Sequence, residues 1–342
     1  MSIGFARSKH EYCLYFKTVN GIQIFLLIYV DDILFFSSNL SLINETKSIF
    51  RKNFKMSDMG EVKQYLGIRI LSSDDHKTLT LDQENYIDMI AKRFGIIQTK
   101  SYATPMEENL QILPTNELNE FENYRNLLGS LLYLSTCTRP DVAYAFNKLT
   151  RYQTRSSQEH FKYGLRILQY LFKTKNLKLN FCNSSSPITL DAFVDSDHGA
   201  DHVDRKSTTG LVLRLGTNPI LWKFQKQKCV ALASTHAEYY ALSECVSEIL
   251  PIKGLLSELK ISITNPLPIY EDNKGARDLA ENGKFCKRSK HIDIRFHFVH
   301  DLVKQDKIKV NQISSEDNPA DILTKALGKV KFQKFRYHLK VF

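Results

Sequence analysis

Residues 188–201 read ITLDAFVDSDHGAD, and the reading of the fold starts there. Ile188, Leu190, Ala192 and Val194 alternate with Thr189, Asp191, Phe193 and Asp195. Side chains along a strand point to opposite faces in turn, so this period of two predicts a β-strand with its aliphatic set on one side. Asp195 closes the strand on the other face, just before His198-Gly199 breaks the pattern. A carboxylate at a strand end is held by the sheet yet reaches water, which suits a metal ligand or a general base. Taken alone, it reads first as a solvated turn residue, because Asp favours turns without any further role.

Three later carboxylates change that reading. Glu238 lies at the start of the amphipathic run STHAEYYALSECVSEIL, Asp272 ends the strand-like LPIYED, and Asp321 sits one turn into NPADILTKAL, where Pro319 opens a helix. Each falls at a strand end or in a first helical turn, the places where sites gather in α/β folds. Glu238 has a second reading: Thr235-His236-Ala237-Glu238 fits a capping box, which needs no catalysis.

The ordered set DxD, STHAEYYAL, EDNKGA, KHIDIRFHF and NPADILTKAL resembles the ribonuclease H domain of copia-type retrotransposon polyproteins, over residues 186–328. The resemblance implies a two-metal nuclease. Asp195, Glu238, Asp272 and Asp321 would be the catalytic set and would hold two ions of Mg²⁺ or Mn²⁺. The substrate would be the RNA strand of an RNA–DNA hybrid. The chemistry is consistent: four gathered carboxylates repel one another unless cations lie among them. Two ions about 3.5–4 Å apart can activate a water and steady a leaving oxygen.

Bulk properties agree with a globular chain. The 342 residues are 43% hydrophobic and 25% charged, room for two domains of ordinary size. Forty-seven Lys and Arg against 37 Asp and Glu leave +10, which favours a polyanionic partner. Six cysteines show no CxxC and no Cys/His zinc spacing, so they read as reduced thiols of an intracellular protein. His198, His291, His297 and His300 have no zinc-type spacing either and read as packing or surface residues. No signal peptide or membrane-length apolar run is visible, and no membrane partner is expected.

In the first third, Asn20-Gly21 joins two strand-like runs, the strongest short hairpin signal. The second run, FLLIYV, enters Asp31-Asp32 and leaves as ILFFSS. FLLIYVDD resembles the metal-binding hairpin of reverse transcriptase palms, and FKMSDMGEVKQYLGIRI, LDQENYIDMIAKRFGI and ATPM extend the resemblance. Such a palm needs a third aspartate upstream, where only Glu11 is found, so Asp31 and Asp32 are expected to form an incomplete polymerase metal site. Helices are expected over 39–54, 83–94, 124–135, 141–151 and 158–173. The aromatic-rich YRNLLGSLLYLSTCTRPDVAYAFNKLTRY resembles the family's connection region and reads as core packing. Pro251 is expected to interrupt the helix that begins near Thr235.

Two basic clusters stand out. Lys226 and Lys228 follow Trp222 and Phe224; Lys284, Lys287, Arg288 and Lys290 lie between Asp272 and Asp321. Both could hold phosphates, and both read equally as solvated faces.

The expected fold class is α/β: an α+β palm and thumb remnant and a helical connection, then a ribonuclease H-like mixed-sheet α/β domain. The expected boundaries are 1–105, 106–185, 186–328 and a basic tail at 329–342. Expected partners are the hybrid and the missing polymerase half or another Pol subunit. The expected location is intracellular, in cytoplasmic virus-like particles or the nucleus. The alternative is a degenerate remnant with at most nucleic-acid binding.

Overall fold

Asn20 and Gly21 take φ of 49° and 80°, the left-handed pair that a tight two-residue hairpin requires. The computed structural model describes residues 3–97, 100–115, 122–183, 188–283 and 290–342. It divides into two compact units: Met1–Lys63 with Glu248–Ile263, and Gln64–Ser247 with Thr264–Phe342.

In the first unit, β1 (Ala6–Arg7), β2 (Leu14–Val19), β3 (Ile22–Tyr29) and β4 (Asp32–Ser37) form one antiparallel sheet in that order. Helix α1 (Leu40–Asn53) is started by the Asn39 side chain, which accepts from Leu42 N at 3.1 Å and so satisfies one orphan donor of the first turn. The ring of Phe50 on α1 meets that of Phe35 on β4 edge-on at 5.8 Å. Ser8 Oγ donates to Glu258 Oε2 at 2.6 Å, joining positions 250 apart in sequence.

The second unit opens with β5 (Gln64–Tyr65), β6 (Ile68–Ser72) and β7 (Thr78–Asp82), and β8 (Leu179–Cys182) completes that antiparallel sheet. Helices α2 (Glu84–Arg93), α3 (Glu122–Cys137), α4 (Ala143–Thr150) and α5 (Gln158–Lys173) lie between β7 and β8 in sequence. Arg139 lies in the chain between α3 and α4 and is buried. It forms a forked pair with Asp141, at 2.9 and 2.8 Å, and also donates to Thr174.

The larger sheet carries the carboxylates. Its order is β11-β10-β9-β12-β13, with β9 (Leu190–Ser196), β10 (Thr208–Leu215), β11 (Asn218–Lys226), β12 (Leu267–Glu271) and β13 (Ile308–Gln312). β9, β10 and β11 are antiparallel neighbours, whereas β12 runs parallel to β9 and to β13. This is the mixed-sheet α/β class expected of the region. Leu127, Leu131, Phe146 and Leu168 from the helices share one buried cluster with Phe193, Val212, Leu323 and Phe332. Trp222 Nε1 donates to Ser135 O at 2.7 Å across it.

Helix α6 (Ser234–Glu258) runs unbroken through Pro251, so the expected interruption is absent. Proline removes one helical hydrogen bond but its φ is helical, and Leu242, Val246 and Ile249 hold the preceding turns buried. The remaining helices are α7 (Lys274–Asn282), α8 (Lys290–Lys304) and α9 (Lys329–His338). No helix among the described residues is long and apolar enough to cross a membrane.

Candidate metal centre

Parallel pairing of β9 with β12 sets Ala192 opposite Ile269 and Phe193 opposite Tyr270. Parallel strands end at the same sheet edge, so Asp195, near the end of β9, and Asp272, one residue past β12, come together. The Phe193 and Tyr270 rings stack at 4.9 Å and fix the register. The first turns of α6 bring Glu238 to the same edge. One carboxylate oxygen from each of Asp195, Glu238 and Asp272 lies within 4.8 Å of the other two.

The surroundings of the three differ. Asp195 and Glu238 are buried, and Asp272 is half-buried. Thr324 Oγ1 donates to Asp195 Oδ2, and Ser315 Oγ donates to Asp272 Oδ2 at 2.5 Å. Glu238 takes the Ser196 backbone N–H, while its Oε2 is buried without a hydrogen-bond partner among the described residues. A fourth carboxylate faces this group. Glu271 is fully buried; its Oε1 accepts from Asn273 N at 2.9 Å and its Oε2 has no hydrogen-bond partner among the described residues.

Burial pushes Asp195 up to about 7; Lys325 opposes the shift, and Asp321 and Asp272 add to it. Burial also raises Glu238 well above the usual carboxylate range, with repulsion from Glu271, Asp195 and Asp272 adding to it. Glu271 is raised by burial; the Asn273 N–H opposes this, and Asp272 and Asp195 reinforce it. Buried, mutually repelling carboxylates with orphaned oxygens are a poor arrangement for the protein alone. They are a fitting donor set for a divalent cation of the Mg²⁺ or Mn²⁺ kind, which prefers oxygen ligands.

Asp321 stands apart from the three. It lies in the short 3-10 turn Pro319–Leu323 and not in an α-helix, because Asp321 N and Thr324 N close i→i+3 bonds onto Asn318 O and Asp321 O. Its Oδ1 is 2.9 Å from Lys325 Nζ and its Oδ2 is 3.0 Å from Lys331 Nζ. Lys325 Nζ also lies 3.7 Å from Asp195 Oδ2. Burial works against the Lys325 ammonium, but Asp195 and Asp321 outweigh it and raise its pKa.

The other expected residues fall elsewhere. Asp31 and Asp32 are exposed in the first unit, where Val30 and Asp31 turn β3 into β4 and Val30 takes φ 53°. Among the described residues, no third His, Cys, Asp or Glu joins them in a metal-ligating group. Lys226 is paired with Asp201 at 2.6 Å and Asp204 at 2.8 Å, and Lys228 is exposed. Lys284, Lys287 and Arg288 lie outside the described residues, as does the side chain of Lys290.

Glu271, Thr324, Lys325 and Lys331 were not singled out by the sequence reading. Three had a signal: Glu271 adjoins Asp272, and Thr324 and Lys325 belong to the same NPADILTKAL run as Asp321. Lys331 reaches the site from α9, and no local pattern marks it.

Residues 1–108 match the family model of reverse transcriptase, the RNA-dependent DNA polymerase. The retrovirus-related Pol polyprotein from transposon TNT 1-94 of Nicotiana tabacum is 35% identical over 339 residues, 96% of this chain and 25% of its own length. A putative transposon Ty5-1 protein of Saccharomyces cerevisiae is 32% identical over 250 residues, 72% of this chain and 80% of its own. Among solved structures, the N-terminal RNase H domain of rv2228c from Mycobacterium tuberculosis aligns with 44% of this chain and 97% of its own. Its identity is 13% and its TM-score 0.30, too low to bear on chemistry. A mixed-sheet α/β chain with an acidic edge and a segment matching the reverse transcriptase family falls among transposon-encoded polyproteins. The chain belongs to the copia-type retrotransposon Pol polyproteins, and it spans about a quarter of the length of the plant members it matches.

Proposed function

We propose that residues 186–328 carry a divalent-metal-dependent ribonuclease that cuts the RNA strand of an RNA–DNA hybrid. The observation that carries this is the convergence of Asp195, Glu238 and Asp272 within 4.8 Å, with the Glu238 Oε2 buried and without a hydrogen-bond partner among the described residues. The family supplies the substrate: a polymerase that copies RNA into DNA leaves a hybrid, and the RNA strand must then be removed. Choice of hybrid over duplex DNA would rest on 2′-hydroxyls and helix shape, not on base sequence.

Asp195, Glu238 and Asp272 would hold the metal, and Asp321 would complete the set on the Asp195 side. Bound divalent ions would supply an activated water and neutralise charge at the leaving oxygen. Thr324 fixes the Asp195 carboxylate, and Ser315 fixes that of Asp272. The Asp31-Asp32 turn, with no third ligand grouped beside it among the described residues, is not proposed to transfer nucleotides.

The test is cleavage of a labelled RNA–DNA hybrid by the purified chain with Mg²⁺, with EDTA, and with Asp195→Asn. Cleavage of the RNA strand, lost in both controls, supports the reading. Cleavage that survives either control, or no cleavage with metal demonstrably bound, overturns it; the latter result returns the chain to a remnant without turnover.

A further inference from the structure

Lys325 and Lys331 enter the site from beyond the 3-10 turn and meet the same carboxylate. Lys325 Nζ is 2.9 Å from Asp321 Oδ1 and 3.7 Å from Asp195 Oδ2, so one ammonium bridges the two aspartates. Lys331 Nζ takes the remaining Asp321 oxygen at 3.0 Å and leans on Glu316 Oε1 at 3.3 Å. Both Asp321 oxygens are therefore faced by protein cations, whereas Asp195, Glu238 and Asp272 turn toward one another.

We propose that Lys325 is a placeholder cation: its ammonium holds the Asp195–Asp321 side of the site, so one divalent ion loads freely at Asp195, Glu238 and Asp272 and a second loads only by displacing lysine. The inference rests on the metal-centre reading above. It follows from charge and reach. An ammonium satisfies two carboxylates with one charge and three donors, and a divalent ion competing for the same oxygens must first expel it. The Lys325 side chain is 45% exposed and ends a flexible four-carbon stem, so it can swing to solvent without disturbing the fold. Lys331 stays behind on Asp321, keeping that carboxylate compensated while Lys325 is away. The device leaves the resting site nearer electrical balance and makes ion loading sequential.

The experiment counts ions without substrate. Mn²⁺ is titrated into the full chain, free Mn²⁺ is read by electron paramagnetic resonance, and Lys325→Met and Lys325→Gln are compared with wild type. The expected wild-type result is one ion bound, with a second at least about tenfold weaker, a modest factor for one opposing unit charge at this range. Both variants should tighten the second site by about tenfold or more and leave the first within about threefold, because only the neighbouring charge changes. Lys325→Arg, which keeps the charge, should resemble wild type. Two ions of equal affinity in wild type overturn the proposal, as does an unchanged second site in a folded Lys325→Met or Lys325→Gln. No bound Mn²⁺ in any form would instead remove the metal-centre reading, and this proposal with it.

Discussion

Thr324 donates its hydroxyl to Oδ2 of Asp195, 129 residues away in sequence. Asp195 stands at a strand end where sheet bonds alone leave its side chain free to rotate, so this donor sets where its second oxygen points. Thr324→Val keeps the shape and removes the donor. Hydrogen bonds to charged groups contribute about 1.5–3 kcal/mol, so Mn²⁺ affinity should fall about tenfold or more while the far-ultraviolet spectrum stays unchanged. Unaltered affinity in a folded variant would make the contact incidental.

The same threonine explains a glycine. Gly210 is the cross-strand partner of Asp195, and a Cβ there would lie 2.6 Å from Thr324 Cγ2 and 3.0 Å from Ala320 O. The backbone carbonyl cannot rotate away, so Gly210→Ala must push the 3-10 turn off the sheet. Overpacking of this kind costs about 1–3 kcal/mol, to be read from chemical denaturation. Metal affinity should drop with it, since the displaced turn carries both Thr324 and Asp321.

Glu238 separates a cap from a ligand. Its carboxylate takes Ser196 N–H and, among the described residues, leaves Oε2 without a hydrogen-bond partner. Glu238→Gln removes one of several repelling charges, so the metal-free protein should melt at the same temperature or higher. Hybrid cleavage should fall at least about 100-fold, equivalent to about 2.7 kcal/mol of barrier. A Glu238→Gln variant as active as an active wild type would return the residue to capping.

Much of this was legible in the chain. The alternation around Asp195, the Asn20-Gly21 hairpin and the α5 limits follow local rules, and the structure keeps them. Gathering Asp195, Glu238 and Asp272 needed the motif order as well, because no single carboxylate at an element end distinguishes a ligand from a solvated turn. The rest is set over distance. Ser8 meets Glu258, Trp222 meets Ser135, and Lys331 meets Asp321 through tertiary contacts that carry no periodic signal. Pro251 misled for a related reason: the rule counts the lost bond, whereas packing of the preceding turns decides whether the helix continues. Lys226 was read as a phosphate ligand or a solvated lysine, and neither reading foresaw Asp201 and Asp204 folding onto it.

The buried Arg139–Asp141 pair should matter to the whole second unit. Arg139 joins Asp141 to the end of α5 through Thr174, and Tyr170 OH donates to the same Asp141 at 2.7 Å. Burial disfavours the charged Asp141, yet Arg139 outweighs it and holds the carboxyl below its usual range. Removing one partner of a buried pair strands the other charge, so Arg139→Leu should cost about 3–5 kcal/mol in chemical denaturation. Replacing both residues with apolar side chains should cost less than Arg139→Leu alone; a larger loss in the double variant would show that the pair contributes mainly through packing.

Stability should depend on pH in a way that metal reverses. Asp195 is raised to about 7, and Glu238 and Glu271 are raised well above their ordinary values, all chiefly by burial. Unfolded carboxylates titrate near about 4, so between that pH and the folded values the native state holds more protons. Native stability from these groups is therefore complete below the unfolded value and is lost as pH rises through their folded values, about 7 for Asp195. Asp141 has the opposite sign, but its contribution is already complete above the unfolded value and stays level from about pH 5 upward. His160 and His338 are lowered by burial, so their contribution grows as pH rises through about 6.5 and partly masks the carboxylates. Comparing wild type with Glu271→Gln cancels the shared histidine effect. In EDTA, Glu271→Gln should stabilise the chain more at pH 7.5 than at pH 5. Saturating Mg²⁺ should stabilise wild type by about 2.7 kcal/mol at a hundredfold excess over Kd near neutral pH. At pH 5 the gain should be smaller, because the ion must then displace protons from its own ligands. Melting curves at the two pH values, with and without Mg²⁺, measure all of these quantities. An equal Mg²⁺ shift at both would mean that the ion binds somewhere other than these buried carboxylates.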